Sequence, residues 1–123
     1  NPGYKKVARI YNGGGKAVAD LVMLEEETID TEKPLTIFDP LATWKRMTIN
    51  NFTIRELLVP IYRNGELIYE TSPLMEIQEY AKEELDTFWD EYKRLNNPHV
   101  YKVDLSQKLY DLKQQLLKKY SQE

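Results

Sequence analysis

Asn64-Gly65 stands between two apolar runs, residues 57–62 and 67–70, and it limits the fold of this chain more than any other feature. An Asn-Gly pair accepts the positive φ values of a type I′ turn, whose twist matches that of two paired strands, so a β-hairpin is expected here. Pro60 cannot donate to a ladder and puts its strand at an edge or a bulge. A second hairpin is expected earlier. Val7, Ala8, Ile10 and Tyr11 interleave with Lys6 and Arg9, Asn12-Gly13-Gly14-Gly15 interrupts, and an apolar run resumes from Ala17 to Glu25. A phosphate-cradling loop would need a helix after the glycines, and a strand-like segment follows instead.

Residues 35–38 form a short strand candidate closed by Asp39-Pro40, because proline bars the residue before it from helical geometry. Glu25-Glu26-Glu27 with Asp30 and Glu32 lacks the spaced oxygen ligands and glycine of a calcium loop and reads as a solvated connector. Ser72-Pro73 then opens a helix, with the serine oxygen available to cap it. Leu74, Ile77, Ala81, Leu85, Phe88, Tyr92 and Leu95 recur every three or four residues, a continuous apolar stripe that Asn96-Asn97-Pro98 ends. This stripe is expected to be buried on the sheet or on the last helix, with Phe88 in the core. A second helix follows Asp104 or Ser106, either of which can cap it. Leu105, Leu109, Leu112, Leu116 and Tyr120 share one face and Lys108, Lys113 and Lys118 the other.

Strand-rich thirds followed by two helices indicate an α+β fold: antiparallel β-hairpins forming a small sheet, with two C-terminal amphipathic helices packed on it. The 123 residues suit a single domain over residues 1–123. A formal net charge of −3 supplies no positive field to collect nucleic acid or anionic lipid, so neither is an expected partner. The absence of cysteine removes disulfides, thiolate nucleophiles and cysteine metal sites together. The apolar stretches are too short to cross a bilayer and no basic-then-apolar leader opens the chain, so neither signal-directed secretion nor a membrane span is expected. The chain opens at Asn1 without a methionine, as a processed product, a fragment or an engineered domain would.

His99 lies between Pro98 and Val100 in the connector between the helices and reads as a loop residue. A lone histidine builds no histidine metal site, and nothing beside it in sequence offers a nucleophile to activate. Carboxylate pairs such as Glu83 with Asp86, or Asp90 with Glu91, sit on the wet face of a long helix, whereas acid–base catalysis needs opposed environments. Trp44, Lys45 and Arg46 with Arg55 are the one basic and aromatic cluster. Arginine can clamp a phosphate or carboxylate with two bonds, but these residue types alone read as a core tryptophan beside solvated cations. No catalytic, cofactor-binding or metal residue is assigned, and no cofactor is expected in this chain.

Five phrases follow one another along the sequence: Asn1-Pro2-Gly3-Tyr4-Lys5-Lys6-Val7 with Arg9-Ile10-Tyr11; Gly15-Lys16-Ala17 with Ala19-Asp20-Leu21; Phe38-Asp39-Pro40 before Trp44-Lys45-Arg46; residues 55–62 with Asn64-Gly65; and Asn97-Pro98-His99 with Tyr101 and Leu105-Ser106. In this order they resemble the C-terminal domain of bacterial nicotinate phosphoribosyltransferase. The resemblance implies a cytoplasmic, homodimeric parent enzyme of NAD salvage that joins nicotinate to phosphoribosyl pyrophosphate, using ATP and magnesium. It places the substrate sites and the phosphorylated histidine in a preceding barrel-like catalytic domain, absent here, and His99 does not match the sequence around that histidine. The chain is then a non-catalytic assembly domain, inactive alone, whose partner is the catalytic domain of the same polypeptide. Trp44, Lys45, Arg46 and Arg55 become candidates for the interdomain or subunit interface. The alternative is a free-standing protein-interaction module with no enzymatic role, which needs only this fold and an exposed apolar patch.

Overall fold

In the computed structural model, which describes residues 4–42 and 44–121, the glycine-interrupted segment is a hairpin. Its strands β1 (Lys5–Asn12) and β2 (Ala17–Leu24) pair antiparallel. The Asn12 carboxamide oxygen accepts the amides of Gly14 and Lys16 at 3.0 Å, and Gly15 takes φ +77°, a conformation that the missing Cβ permits. Asn1, Pro2 and Gly3 of the opening phrase lie outside the described residues, as do Thr43, Gln122 and Glu123.

β3 (Leu35–Phe38) is followed by β4 (Arg46–Ile49) and β5 (Phe52–Glu56). The Asn64-Gly65 hairpin forms as expected, but its ladder is short: β6 (Tyr62–Arg63) and β7 (Glu66–Leu67), with Pro60 outside it. Asn64 and Gly65 both have positive φ, as a type I′ turn requires. Then come α1 (Leu74–Asp86), α2 (Asp90–Lys93), β8 (Val103–Leu105) and α3 (Gln107–Tyr120). Six strands make one sheet in the order β4-β3-β8-β2-β1-β5, and β6 with β7 makes a separate ribbon.

The two edges of the six-stranded sheet, β4 and β5, are joined by Asn50 and Asn51 alone. In a flat sheet those edges would stand about 24 Å apart at the usual strand spacing. Three residue steps from Ile49 to Phe52 reach at most about 11 Å. The sheet therefore curls, and its concave face closes on itself. Ala8, Ile10, Ala19, Leu21, Met23, Ile37, Ile49 and Phe52 fill that interior as one buried cluster. Small and large residues alternate there, as a tightly curved sheet needs. Asp104 stands in register with Leu21 and is turned inward with it, 1% exposed, with Lys102 Nζ 3.0 Å from its Oδ2.

α3 covers the convex face over β2 and β3. Leu109 is buried there, and Tyr110 stacks on Phe38 with ring centroids 4.4 Å apart. Of the two capping candidates it is Ser106 that caps the helix, its Oγ accepting the Leu109 amide at 3.2 Å. The same hydroxyl donates to Glu27 Oε2 at 2.7 Å, and that oxygen also accepts the Leu24 amide at 2.6 Å. Glu27 is thus a buried bracket between the end of β2 and the start of α3, while its neighbours Glu25 and Glu26 are exposed as expected.

The α+β architecture is the expected one, but the Asn64-Gly65 hairpin stands outside the main sheet, and β4, β5 and β8, not among the expected strands, stand within it. β8 runs parallel to β2, so the sheet is mixed. A three-residue strand is too short to carry a periodic signal, and its place between β3 and β2 is decided by non-local pairing. The first helix stops at Asp86. Thr87 Oγ1 donates to Glu84 O at 2.6 Å, a local bond that competes with the helical ladder, and only the four-residue α2 follows. At its other end Pro73 occupies the N-cap position and no side chain caps the helix, so Ser72 does not serve. Lastly, the stripe expected to be buried is not: α1 holds no buried residue, Phe88 and Tyr92 are half-buried, and Leu95 is 99% exposed.

Candidate docking surface

Every residue from Leu58 to Glu83 is exposed, through the β6–β7 ribbon and most of α1. Leu58, Val59, Ile61, Leu74, Met75 and Ile77 are among the large apolar side chains left in solvent on this arm. Monomeric proteins rarely leave many large apolar side chains uncovered together, so the arm is the candidate docking surface.

The arm is tied down at its far end by a polar latch on the convex face. Arg9 and Asp20 are cross-strand partners on β1 and β2, and the guanidinium grips the carboxylate with two bonds, Nε to Oδ1 at 2.7 Å and NH2 to Oδ2 at 3.0 Å. Tyr101 donates its phenol to the same Oδ1 at 3.1 Å. Glu84 near the end of α1 accepts two bonds from Arg55 on β5, at 2.8 and 2.6 Å, and lies 3.5 Å from Arg9 NH1. The Arg9 guanidinium also sits over the Phe88 ring, 4.7 Å from its centroid, and Phe88 meets Tyr101 edge to face. Two backbone ties complete the attachment: the Ala17 amide donates to Thr87 O at 2.9 Å and Lys16 Nζ to Asp86 O at 2.7 Å.

The electrostatics follow from this geometry. The Arg55 hydrogen bonds hold the Glu84 carboxyl below the usual carboxylate range, and Glu84 in turn raises Arg55. The Asp20 carboxylate raises the Arg9 pKa through its hydrogen bond. Burial, reinforced by Asp20, pushes the Tyr101 phenol far above its ordinary value. Burial likewise raises Tyr11, whose hydroxyl is buried with no hydrogen-bond partner among the described residues. Arg9, Arg55, Glu84 and Tyr101 are thus each pushed away from titrating near neutral pH. This suits a structural tie, whereas a proton-transfer site needs groups poised near the working pH.

The candidate interface residues fall in two places. Trp44 is 79% exposed, against the core position its residue type suggests, just before β4. Asp39 Oδ1 accepts the amides of Ala42 and Leu41, bonds that hold the Asp39 carboxyl below the usual carboxylate range, and the Asp39 amide donates to Lys45 O at 3.0 Å. Lys45 and Arg46 follow, both exposed, with Arg46 opening β4. Arg55 is apart from them in function: it is committed to Glu84 and lies over the Tyr11 ring. His99 is a loop residue as expected, its amide bonded to Glu91 O at 2.9 Å. Among the described residues no group of three or more His, Cys, Asp or Glu is placed to hold a metal, and no helix is long and apolar enough to cross a membrane.

Sequence reasoning missed the latch. Arg9 and Asp20 come together only once the hairpin register is known, and Glu84 lies 75 residues from Arg9. The hairpin turn was the one signal that could have paired the first two.

A family model for the nicotinate phosphoribosyltransferase C-terminal domain matches residues 4–113. The nicotinate phosphoribosyltransferase of Bacillus subtilis is 35% identical over 115 residues, 93% of this chain and 24% of the relative, and that of Caenorhabditis elegans is 34% identical over 111 residues, 89% and 20%. The crystal structure of human nicotinic acid phosphoribosyltransferase superposes with a TM-score of 0.85 at 26% identity, over 94% of this chain and 23% of that one. The chain thus spans a quarter or less of the length of these relatives. It belongs to the nicotinate phosphoribosyltransferase C-terminal domain family.

Proposed function

We propose that the chain is the C-terminal, non-catalytic assembly domain of a nicotinate phosphoribosyltransferase, a cytoplasmic enzyme of NAD salvage that joins nicotinate to phosphoribosyl pyrophosphate with hydrolysis of ATP and magnesium as its metal. The observation that carries this reading is the arm, an unbroken exposed run bearing large apolar side chains on a chain much shorter than its relatives. Apolar surface of that extent is covered in an assembled protein. The cover in this reading is the catalytic domain of the same polypeptide, within a homodimer, and the substrates and ATP bind to that domain. Trp44, Lys45 and Arg46 supply a second contact, in keeping with the enrichment of aromatic residues and arginine at interfaces. Arg55 serves docking indirectly, by bracing α1 through Glu84.

Incubated with nicotinate, phosphoribosyl pyrophosphate and magnesium ATP, the pure chain is expected to yield no nicotinate mononucleotide above a blank. Clear turnover by the chain alone would refute the reading. In the full-length enzyme, Arg46→Ala is expected to weaken dimer stability or the docking of this domain, with the KM values for ATP and phosphoribosyl pyrophosphate near wild type. A selective rise in one KM with unaltered assembly would instead put Arg46 at a substrate.

A further inference from the structure

We propose that the groove beneath the second half of α3 binds an amphipathic carboxylate, a small molecule of fatty-acid type with an anionic head on an unbranched apolar tail. The site is separate from the arm and does not depend on what covers the arm.

α3 closes on the sheet through its first half only. Leu109 is buried and Tyr110 stacks on Phe38, whereas Leu117 and Tyr120 are more than half exposed. Beneath the second half lies a groove of about 1080 Å³, walled by Val22 and Leu105 from the sheet and by Leu112, Leu116, Leu117 and Tyr120 from the helix. Sites for small organic molecules are of this kind, concave and mostly apolar, with a few polar groups that fix the ligand's orientation. From Leu112 to Tyr120 the helix rises about 12 Å, the length of an extended tail of roughly ten carbons. Such a tail withdraws its methylenes from water against leucine side chains, which is what favours its binding.

The charges select the head. Both charged residues of the lining are lysines, Lys5 and Lys113, and among the described residues no Asp or Glu lines the groove, in a chain with twenty acidic residues to seventeen basic. Lys113 is partly buried, and its ammonium donates to a neutral acceptor, the Pro40 carbonyl oxygen, at 2.6 Å. A carbonyl carries no charge to offset that of the ammonium, and the ammonium has further N–H donors to offer. A carboxylate that takes one of them makes a charge-assisted bond at the edge of an apolar wall, where it is stronger than in water. A cationic head would meet like charge there, and a neutral head would gain no such bond.

Titration of the chain with octanoate, decanoate, decanol and decyltrimethylammonium, each below the concentration at which it forms micelles, tests the proposal through the methyl NMR signals of Leu112, Leu116 and Leu117. Those signals are expected to shift, with decanoate bound about tenfold more tightly than octanoate because it buries two more methylenes. Decanoate should also bind about tenfold more tightly than decanol, through the bond to Lys113. Lys113→Met should remove the preference for decanoate and leave decanol binding as it was, and Lys113→Arg should keep the preference. Leu117→Asp, at a side chain already 55% exposed, should weaken decanoate at least as much while leaving the unfolding midpoint unchanged. Unshifted leucine methyls, or decyltrimethylammonium bound as tightly as decanoate, overturn the proposal. Shifts that follow protein concentration with no ligand present also overturn it and assign the groove to a second copy. Binding by the chain that is lost in the full-length enzyme overturns it as well and makes the groove a contact with the rest of that polypeptide.

Discussion

Replacing Arg9 by alanine is expected to lower the stability of the domain by about 3 kcal/mol. The side chain has only 16% exposure and its partner Asp20 only 15%, so the substitution leaves a largely buried carboxylate with no cation beside it. It removes the two-bond grip on Asp20, the contact with Glu84 and the stacking over Phe88 together. Partial access of water keeps the loss near the low end of what breaking a buried ion pair costs. The loss would appear as a melting point roughly 10 °C lower, or as a matching fall in the urea midpoint. Arg9→Lys keeps the charge but not the planar fork, so it should fall between the two. A change under about 1 kcal/mol for Arg9→Ala would show the latch to be ordinary surface pairing, whose worth is commonly in that range.

Ile10→Ala is expected to cost about 4 kcal/mol, within the range for large-to-small changes in a core. Ile10 is fully buried on β1, in register with Ala19 on one side and Ile54 on the other. Ala8 and Ala19 beside it are too small to close the gap, and the curled sheet has little freedom to collapse. For a domain of this length, total stability is on the order of 6–18 kcal/mol, so this one cavity removes a large share. The contrasting control is Leu74→Ala in the isolated chain, which should stay within about 0.5 kcal/mol, because Leu74 is 68% exposed. Equal losses for the two variants, measured by denaturant unfolding, would mean that the interior and the arm have been exchanged.

That contrast shows how far the residues could be read in advance. The hairpins at Gly13–Gly15 and at Asn64-Gly65 are where turn chemistry puts them, and β3 ends at Asp39-Pro40 as proline sterics require. α3 begins at Ser106, one of the two residues suited to cap it. The stripe from Leu74 to Leu95 has the right spacing for a buried helix face, and the burial does not follow. Trp44 departs in the same direction, outward where its residue type suggests the core. Glu27 departs in the opposite one, since a carboxylate in an acidic run is buried once Ser106 and the Leu24 amide satisfy it.

The sequence by itself determined the turns, the α+β class and the family, and narrowed the start of α3 to two capping candidates. These follow from backbone sterics and hydrogen bonding within a few residues, or from phrases whose order is itself the signal. Tertiary structure alone decided the closure of the sheet through Asn50 and Asn51, the meeting of Arg9, Asp20, Glu84 and Arg55, and which apolar stripe is covered. Those depend on strand register and on partners far along the chain. An apolar face is buried by whatever packs against it, and among the described residues nothing buries the run from Leu58 to Glu83.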